Sequence, residues 1–287
     1  DMLKADDVAG DTRFVEVGEI AWCVASINRY APWVNKIYIV TDAQDPHLEE
    51  FMERNFPEGH IPMEIVDHKV IFRGFEEYLP TFNACAIESM TWRIPGLQDR
   101  YLEFNDDVML CAPVSPDDFI TEDGRSVCYA DKANIPMIRF TRFMKKLFGS
   151  KKTVTFKGIL ANSAILAGNK WNMLRINHNP RALRREFYEQ YFAEHPQVLI
   201  RKLRYRFRDP DMYLPELLQY TVLNNQGLCD VRPVKGNLMY IQPKDRKDYI
   251  KEKLNRLNSG NYRFCCFNSI DKASPEDLQA VRDWVSS

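Results

Sequence analysis

Four short runs of β-branched and aromatic residues alternate with stretches of helical period in the first half of the chain: KIYIV (36–40), PMEIV (62–66), RYLEF (100–104) and SVCYA (126–130). Between them, EIAWCVASINRYA sets Ile20, Val24 and Ile27 on one helical face, and PHLEEFMERNF opens with a proline suited to a first turn. FNACAIESMTWRI repeats Ala86, Met90 and Ile94 at helical spacing. Apolar strands separated by amphipathic helices bury both sheet faces in a layered arrangement, which predicts an α/β sandwich with a mainly parallel sheet. Ligands of such sheets gather at the carboxyl ends of the strands, where the loops open a crevice. VTDAQ follows the first strand and NDD the third, so both are expected at that rim.

From about residue 135 the pattern turns helical, over 136–148, 180–193, 196–204 and 212–224. A β-rich piece at 229–241, a charged helix near 244–257 and a last strand, YRFCCF, follow. SPEDLQAVRDWV opens with Ser274 as N-cap, Pro275 in the first turn and acids early, a strong helix start. The expected division is an α/β core over 1–134, a helical insert or lid over 135–228, and a β/α segment over 229–287 that completes the core.

A net charge of −1 and a pI near 6.6 argue against binding nucleic acid through a basic surface. No apolar run reaches the ~18 residues of a membrane span, and the opening DMLKADDVAG is acidic and polar, unlike an export signal. The expected location is therefore cytoplasmic. Seven cysteines lie scattered apart from the pair Cys265–Cys266, with no C-x-x-C spacing. They read as reduced, buried thiols.

Asn105, Asp106 and Asp107 stand directly after a strand. Adjacent carboxylates there suit a divalent cation, Mg²⁺ or Mn²⁺, that neutralises a sugar diphosphate. Neighbouring side chains at a strand end point to opposite sides, so commonly one binds metal while the other fixes the loop. The same three residues are also good turn formers, and by residue type alone a turn is the commoner outcome. TFNACAIES offers Thr81, Asn83 and Glu88 near a helix start, which is a phosphate seat or a simple N-cap. His178, in INHNPRALRREF, precedes an expected helix and is a candidate general base or a surface histidine. Arg206 and Arg208, in RYRFRDPDMYLPELL, clamp phosphate or pair with local acids. The stretch 139–157 carries seven Lys or Arg among several Phe, the pattern of an anionic-surface contact or of a solvated helix face.

Taken together, INRYAPWVNKIYIVTDAQDPHL, LPTFNACAIESMTWRIPGL and YLEFNDDVMLCAPVSPDDF resemble the second conserved block of the Stealth family. These are sugar-1-phosphate transferases of capsule and cell-surface polysaccharide synthesis, related to the N-acetylglucosamine-1-phosphotransferase that marks lysosomal enzymes. HNPRALRREFYEQYF with RFRDPDMYLPELLQY resembles the third block, and CCFNSID a shortened fourth. The resemblance implies a Rossmann-like (GT-A-like), mainly parallel α/β core that binds a nucleotide sugar, such as a UDP-sugar. Its phosphoryl group, still carrying the sugar, passes to a hydroxyl of a glycan or lipid-linked glycan, and a nucleoside monophosphate leaves. In that chemistry Asp106 and Asp107 hold Mg²⁺ or Mn²⁺, Arg208 meets charge on the transferred group, and His178 takes the hydroxyl proton. Gln44, Asn83, Asn105, Asn268 and Arg206 position donor or acceptor, and the basic stretch gives peripheral contact with the inner membrane face.

Three departures stand beside the resemblance. The family's first block, a strand ending in a VDG-type motif, would lie upstream of Asp1. Ala21 and Ala25 occupy places where the family carries arginines, and Asn268–Ser269 replaces an Asn-Asp pair. The competing readings are a glycosyltransferase that breaks the anomeric C–O bond and a non-catalytic subunit of capsule assembly.

Overall fold

The structure is a computed structural model that describes residues 18–147, 156–246 and 248–286. Residues 148–155 of the basic stretch, and the start of the chain up to residue 17, lie outside the described residues.

The first half runs α1 (Glu19–Tyr30), β1 (Ile37–Thr41), α2 (Leu48–Asn55), β2 (Met63–Asp67), the short α3 (His68–Ile71) and α4 (Ala84–Glu88), then β3 (Arg100–Glu103), β4 (Val108–Leu110) and β5 (Ser126–Asn134). The second half continues with α5 (Ile135–Leu147), α6 (Phe156–Leu166), β6 (Asn172–Ile176), β7 (Arg181–Arg184), α7 (Arg185–Glu194), α8 (Pro196–Leu203) and α9 (Pro215–Asn225). It closes with β8 (Cys229–Arg232), β9 (Leu238–Ile241), α10 (Tyr249–Leu257), β10 (Phe264–Phe267) and α11 (Pro275–Ser286).

The molecule is mixed α/β, but its strands form several small sheets. β1–β2, β9–β10 and β5–β8 pair in parallel, whereas β4–β10, β3–β7 and β5–β6 pair antiparallel. Among the described residues the two senses are thus equally represented, and the expected mainly parallel Rossmann-like sheet is not what is seen. One of the three antiparallel pairs is made by β7. The sequence reads 180–193 as one helix, yet residues 181–184 are extended because β3 supplies a partner, with Arg100 opposite Arg184 and Glu103 opposite Arg181. Helix α9 fastens the same strand from behind: the Ala182 amide donates to the Tyr220 hydroxyl (2.7 Å) and the Arg184 amide to Gln219 Oε1 (2.8 Å).

Other expectations hold. Strand β10, the FCCF run, is buried throughout and lies between β4 and β9, as a wholly apolar strand requires. In α1, Trp22, Cys23, Val24 and Ile27 are buried, Glu19 lies in the first turn and Arg29 in the last, in accord with the helix dipole. Ser26 Oγ on this helix accepts from the Leu110 amide at 3.0 Å, which docks α1 on β4. Ser274 caps α11 through its Oγ, which accepts from the Asp277 amide at 3.1 Å. All seven cysteines are free, and all except the half-buried Cys111 are buried.

Helix α5 is different. Met137, Phe140, Phe143 and Leu147 recur along one face and are each more than 60% exposed, as is Trp171, whose carbonyl accepts from the Ile135 amide at the start of that helix. Scattered exposed apolar residues are ordinary, but a contiguous stripe of this kind marks a contact surface.

Candidate active site

Four stretches distant in sequence converge beside β10. The β3–β4 loop brings Asn105, Asp106 and Asp107; the β6–β7 loop brings His178; β10 brings Cys266; the α8–α9 loop brings Arg208. Their positions follow from backbone pairing. The Asp107 carbonyl accepts from the Phe267 amide at 2.9 Å, which ties the acidic loop to the end of β10. Asp107 Oδ2 then accepts from the Cys266 thiol at 3.3 Å, while Oδ1 is buried without a hydrogen-bond partner.

Donor atoms of Asp107, His178 and Cys266 all lie within 4.8 Å of one another. The His178 ring packs against Phe156 (centroids 6.1 Å apart) and Tyr240 (5.6 Å), and its Nδ1 is buried and unpartnered. Burial lowers the His178 pKa below its ordinary value; the Asp107 carboxylate opposes the shift, and the charges of Arg181 and Arg208 add to it. The imidazole is therefore neutral at pH 7 and able to accept a proton.

Asn105 and Asp106 face other surroundings. Asn105 Oδ1 accepts from Arg181 at 2.7 Å. Asp106 is exposed and lines, with Gln44, Glu88, Glu103 and Asn105, a cleft of about 1210 Å³. Asp106 thus lines the cleft, while the Asp107 carboxylate lies near Cys266 and His178. That volume accommodates a nucleotide sugar.

Asn83 occupies the N-cap position of α4 but makes no side-chain cap there. Its amide instead donates to the carbonyls of Tyr205 (2.7 Å) and Phe207 (3.4 Å), and the Phe82 amide donates to the Arg206 carbonyl at 3.0 Å. Stacking of Phe82 on Phe207, with centroids 5.5 Å apart, completes the clasp. Asn83 therefore braces the loop that carries Arg206 and Arg208, both exposed. Asn268 continues from β10: its amide donates to the Ile241 carbonyl at 2.9 Å, and its Oδ1 accepts from Ser269.

Behind Asn105 lies a group that the sequence reading did not single out. Arg181, on β7, reaches Glu103 on β3 (3.3 Å) and Glu216 on α9 (3.4 Å), and all three side chains are at most 10% exposed. Glu88 adds a third acid to the field at Arg181. Burial, reinforced by the Glu88 charge, raises Glu103 to about 8; burial likewise raises Glu216 to about 7, with Arg181 opposing both shifts. Burial works against the Arg181 charge, but Glu216, Glu88 and Glu103 together hold it protonated. The missed signals were local ones: Arg181 directly follows Pro180, which reads as a helix start, and Glu216 resembles an ordinary first-turn acid.

Fold and site together define a mixed α/β protein with a carboxylate, a neutral imidazole and a guanidinium gathered beside a large cleft. The chain is similar to the Stealth family: the model for Stealth protein CR2, conserved region 2, matches residues 13–128. It is 29% identical to an exopolysaccharide phosphotransferase of Streptomyces coelicolor over 96% of this chain and 48% of that protein. It is also 29% identical to the receptor polysaccharide phosphotransferase WefC of Streptococcus gordonii, over 95% of this chain and 83% of that one. The capsular polysaccharide phosphotransferase WcwK of Streptococcus pneumoniae is 28% identical over 95% and 83%. The chain thus spans about half the length of the Streptomyces relative and about four-fifths of the streptococcal ones.

Proposed function

We propose that this chain is a polysaccharide phosphotransferase that moves sugar-1-phosphate from a nucleotide sugar onto a glycan hydroxyl, forming a phosphodiester. The observation that carries this reading is the meeting of Asp107, His178 and Arg208, from three separate segments, beside a cleft of nucleotide-sugar size. In the reaction the acceptor O–H proton passes to a ring nitrogen of His178, and the hydroxyl oxygen forms a bond to phosphorus. The phosphoanhydride P–O bond breaks, and nucleoside monophosphate departs with the bonding electrons. Arg208 stabilises the charge that spreads over the phosphoryl oxygens. Asn105, anchored on Arg181, and Gln44 shape the cleft for the donor, while Asn83 holds the Arg206–Arg208 loop in place. Asn268 and Arg206 complete the surroundings of the transferred group.

The unpartnered Asp107 Oδ1 fits a hard divalent ion, since Mg²⁺ or Mn²⁺ needs only one or two protein carboxylates when phosphate oxygens share the site. Asp107, with Asp106 from the cleft side, would hold such an ion, and its charge would neutralise the donor diphosphate. A panel of nucleotide sugars with a capsule oligosaccharide acceptor tests the reading by chromatography of the released nucleotide. Metal-dependent appearance of a nucleoside monophosphate, abolished by Asp107→Ala, is the expected result. Release of a nucleoside diphosphate would overturn it in favour of glycosyl transfer.

The acceptor surface follows from α5. No described helix is long and apolar enough to cross a membrane. The exposed Met137, Phe140, Phe143 and Leu147 stripe, set in a basic stretch of sequence, suits the surface of an anionic bilayer, where lipid-linked acceptors reside. This supports a position on the cytoplasmic membrane face. Phe140→Glu with Phe143→Glu is expected to weaken binding to anionic vesicles by about 100-fold in a flotation assay, from the lost burial of two aromatic rings. Unchanged flotation would remove the membrane from the account.

A further inference from the structure

We propose that Asp107, His178 and Cys266 form a binding site for a thiophilic divalent cation of the Zn²⁺ type, distinct in chemistry from the hard ion proposed for the donor diphosphate. The three residues bring a carboxylate, an imidazole and a thiol to one point, with donor atoms within 4.8 Å of one another. Mg²⁺ has little use for sulfur or imidazole, whereas Zn²⁺ takes S, N and O donors and leaves a fourth position for water or substrate.

Geometry supports the set. Tetrahedral Zn²⁺ with bonds of about 2.0–2.3 Å separates its ligand atoms by roughly 3.3–3.7 Å. The Cys266 Sγ to Asp107 Oδ2 distance is already 3.3 Å. A ring nitrogen of His178 lies within 4.8 Å of both, a gap that a cation seated among the three closes on binding. Two further observations point to a ligand. Asp107 Oδ1 and His178 Nδ1 are both buried and both lack a hydrogen-bond partner, a costly condition that a bound cation relieves. The supports are also rigid: Cys266 lies in the central strand of its sheet, and the Asp107 carbonyl is tied to the Phe267 amide.

Binding is a simple exchange. The Cys266 S–H bond breaks, its proton leaves to solvent, and the sulfur, one imidazole nitrogen and one carboxylate oxygen each donate a pair to the metal. No oxidant or reductant takes part. The consequence for activity rests on the proposed function: a thiophilic ion here occupies both the carboxylate assigned to the hard metal and the imidazole assigned to the proton, and so acts as an inhibitor.

The test needs neither donor nor acceptor, so it stands apart from the proposed activity. The full chain, kept reduced, is titrated with Co²⁺, whose absorption reports thiolate ligation through a near-ultraviolet charge-transfer band. One equivalent is expected to raise the band and one equivalent of Zn²⁺ to bleach it. Cys266→Ser should abolish the band, and His178→Ala should weaken Co²⁺ binding at least tenfold. Cys265→Ser, the control on the neighbouring thiol, should leave the band in place, and circular dichroism of each variant should match the parent. Absence of the band in the parent would overturn the proposal. So would a band that survives Cys266→Ser in folded protein, or one lost with Cys265 instead.

Discussion

Replacing His178 by alanine is expected to lower kcat for sugar-1-phosphate transfer by about 10²–10⁴-fold, the range for loss of a positioned general base. KM for the nucleotide sugar should change little, because the imidazole is assigned to the acceptor proton and the donor cleft is lined by other residues. The size of the loss follows from how the ring is held. Burial keeps the imidazole neutral at pH 7, so nearly every molecule carries a base ready to accept, and the Asp107 carboxylate stabilises the imidazolium once formed. Contacts with Phe156 and Tyr240 restrict the ring to few orientations, which lowers the cost of orienting it at the moment of reaction. His178→Gln keeps much of the shape without the base and should be nearly as slow as the alanine variant. A loss smaller than tenfold in a single-turnover assay would take the proton role away from His178. A rise in donor KM with kcat intact would make it a binding group instead.

Element type was legible in the sequence wherever a short run had a single reading. Strands β1, β2, β3, β5 and β10 fall on KIYIV, PMEIV, RYLEF, SVCYA and YRFCCF within two residues at their starts, because β-branched and aromatic runs of that length leave little choice. Partnership was not legible. Periodicity reports which face of a strand is buried but not which strand lies beside it, and so the antiparallel β3–β7 pair escaped. Pro180 gave residues 181–184 the look of a helix start, and the pairing with β3 and the bonds to Tyr220 and Gln219 make them extended. Asn83 shows the same limit at the scale of one side chain. Its position before α4 was readable, but its amide serves carbonyls 122 and 124 residues away. At the site itself, the sequence singled out Asp107 and His178, which the fold brings together, because their residue types are chemically pointed. Cys266, Arg181 and Glu216 were not, since a buried thiol, a strand arginine and a first-turn glutamate each have a commoner role.

The Arg181 group turns that missed chemistry into a stability expectation. Arg181→Met keeps the bulk of the side chain and removes the cation that Glu103 and Glu216 share, leaving both acids, with Glu88 near, in a buried place. Breaking a buried pair from one side costs about 3–5 kcal/mol, because the stranded charges have neither water nor partner. The cost depends on pH, and its sign is fixed by the direction of the shifts. Glu103 and Glu216 already titrate at about 8 and about 7 in the folded parent, above the ordinary carboxylate range. A raised folded pKa means that the folded state holds a proton the unfolded chain has released. The contribution is thus complete at pH values below the unfolded pKa and is lost as pH rises through 7 and 8. Without Arg181 both carboxyls rise further, so the variant loses stability more steeply across the same window. Urea unfolding at pH 5.5 and pH 8.5 should therefore give a smaller penalty at the lower pH, where both acids remain protonated, and the full penalty at the higher. Glu103→Gln added to Arg181→Met should recover part of the loss at pH 8.5, since it removes one of the stranded charges. An equal penalty at both values would mean that the guanidinium stabilises the β3–β7–α9 junction through packing and its bond to Asn105 alone, and that the acids around it carry no proton of their own.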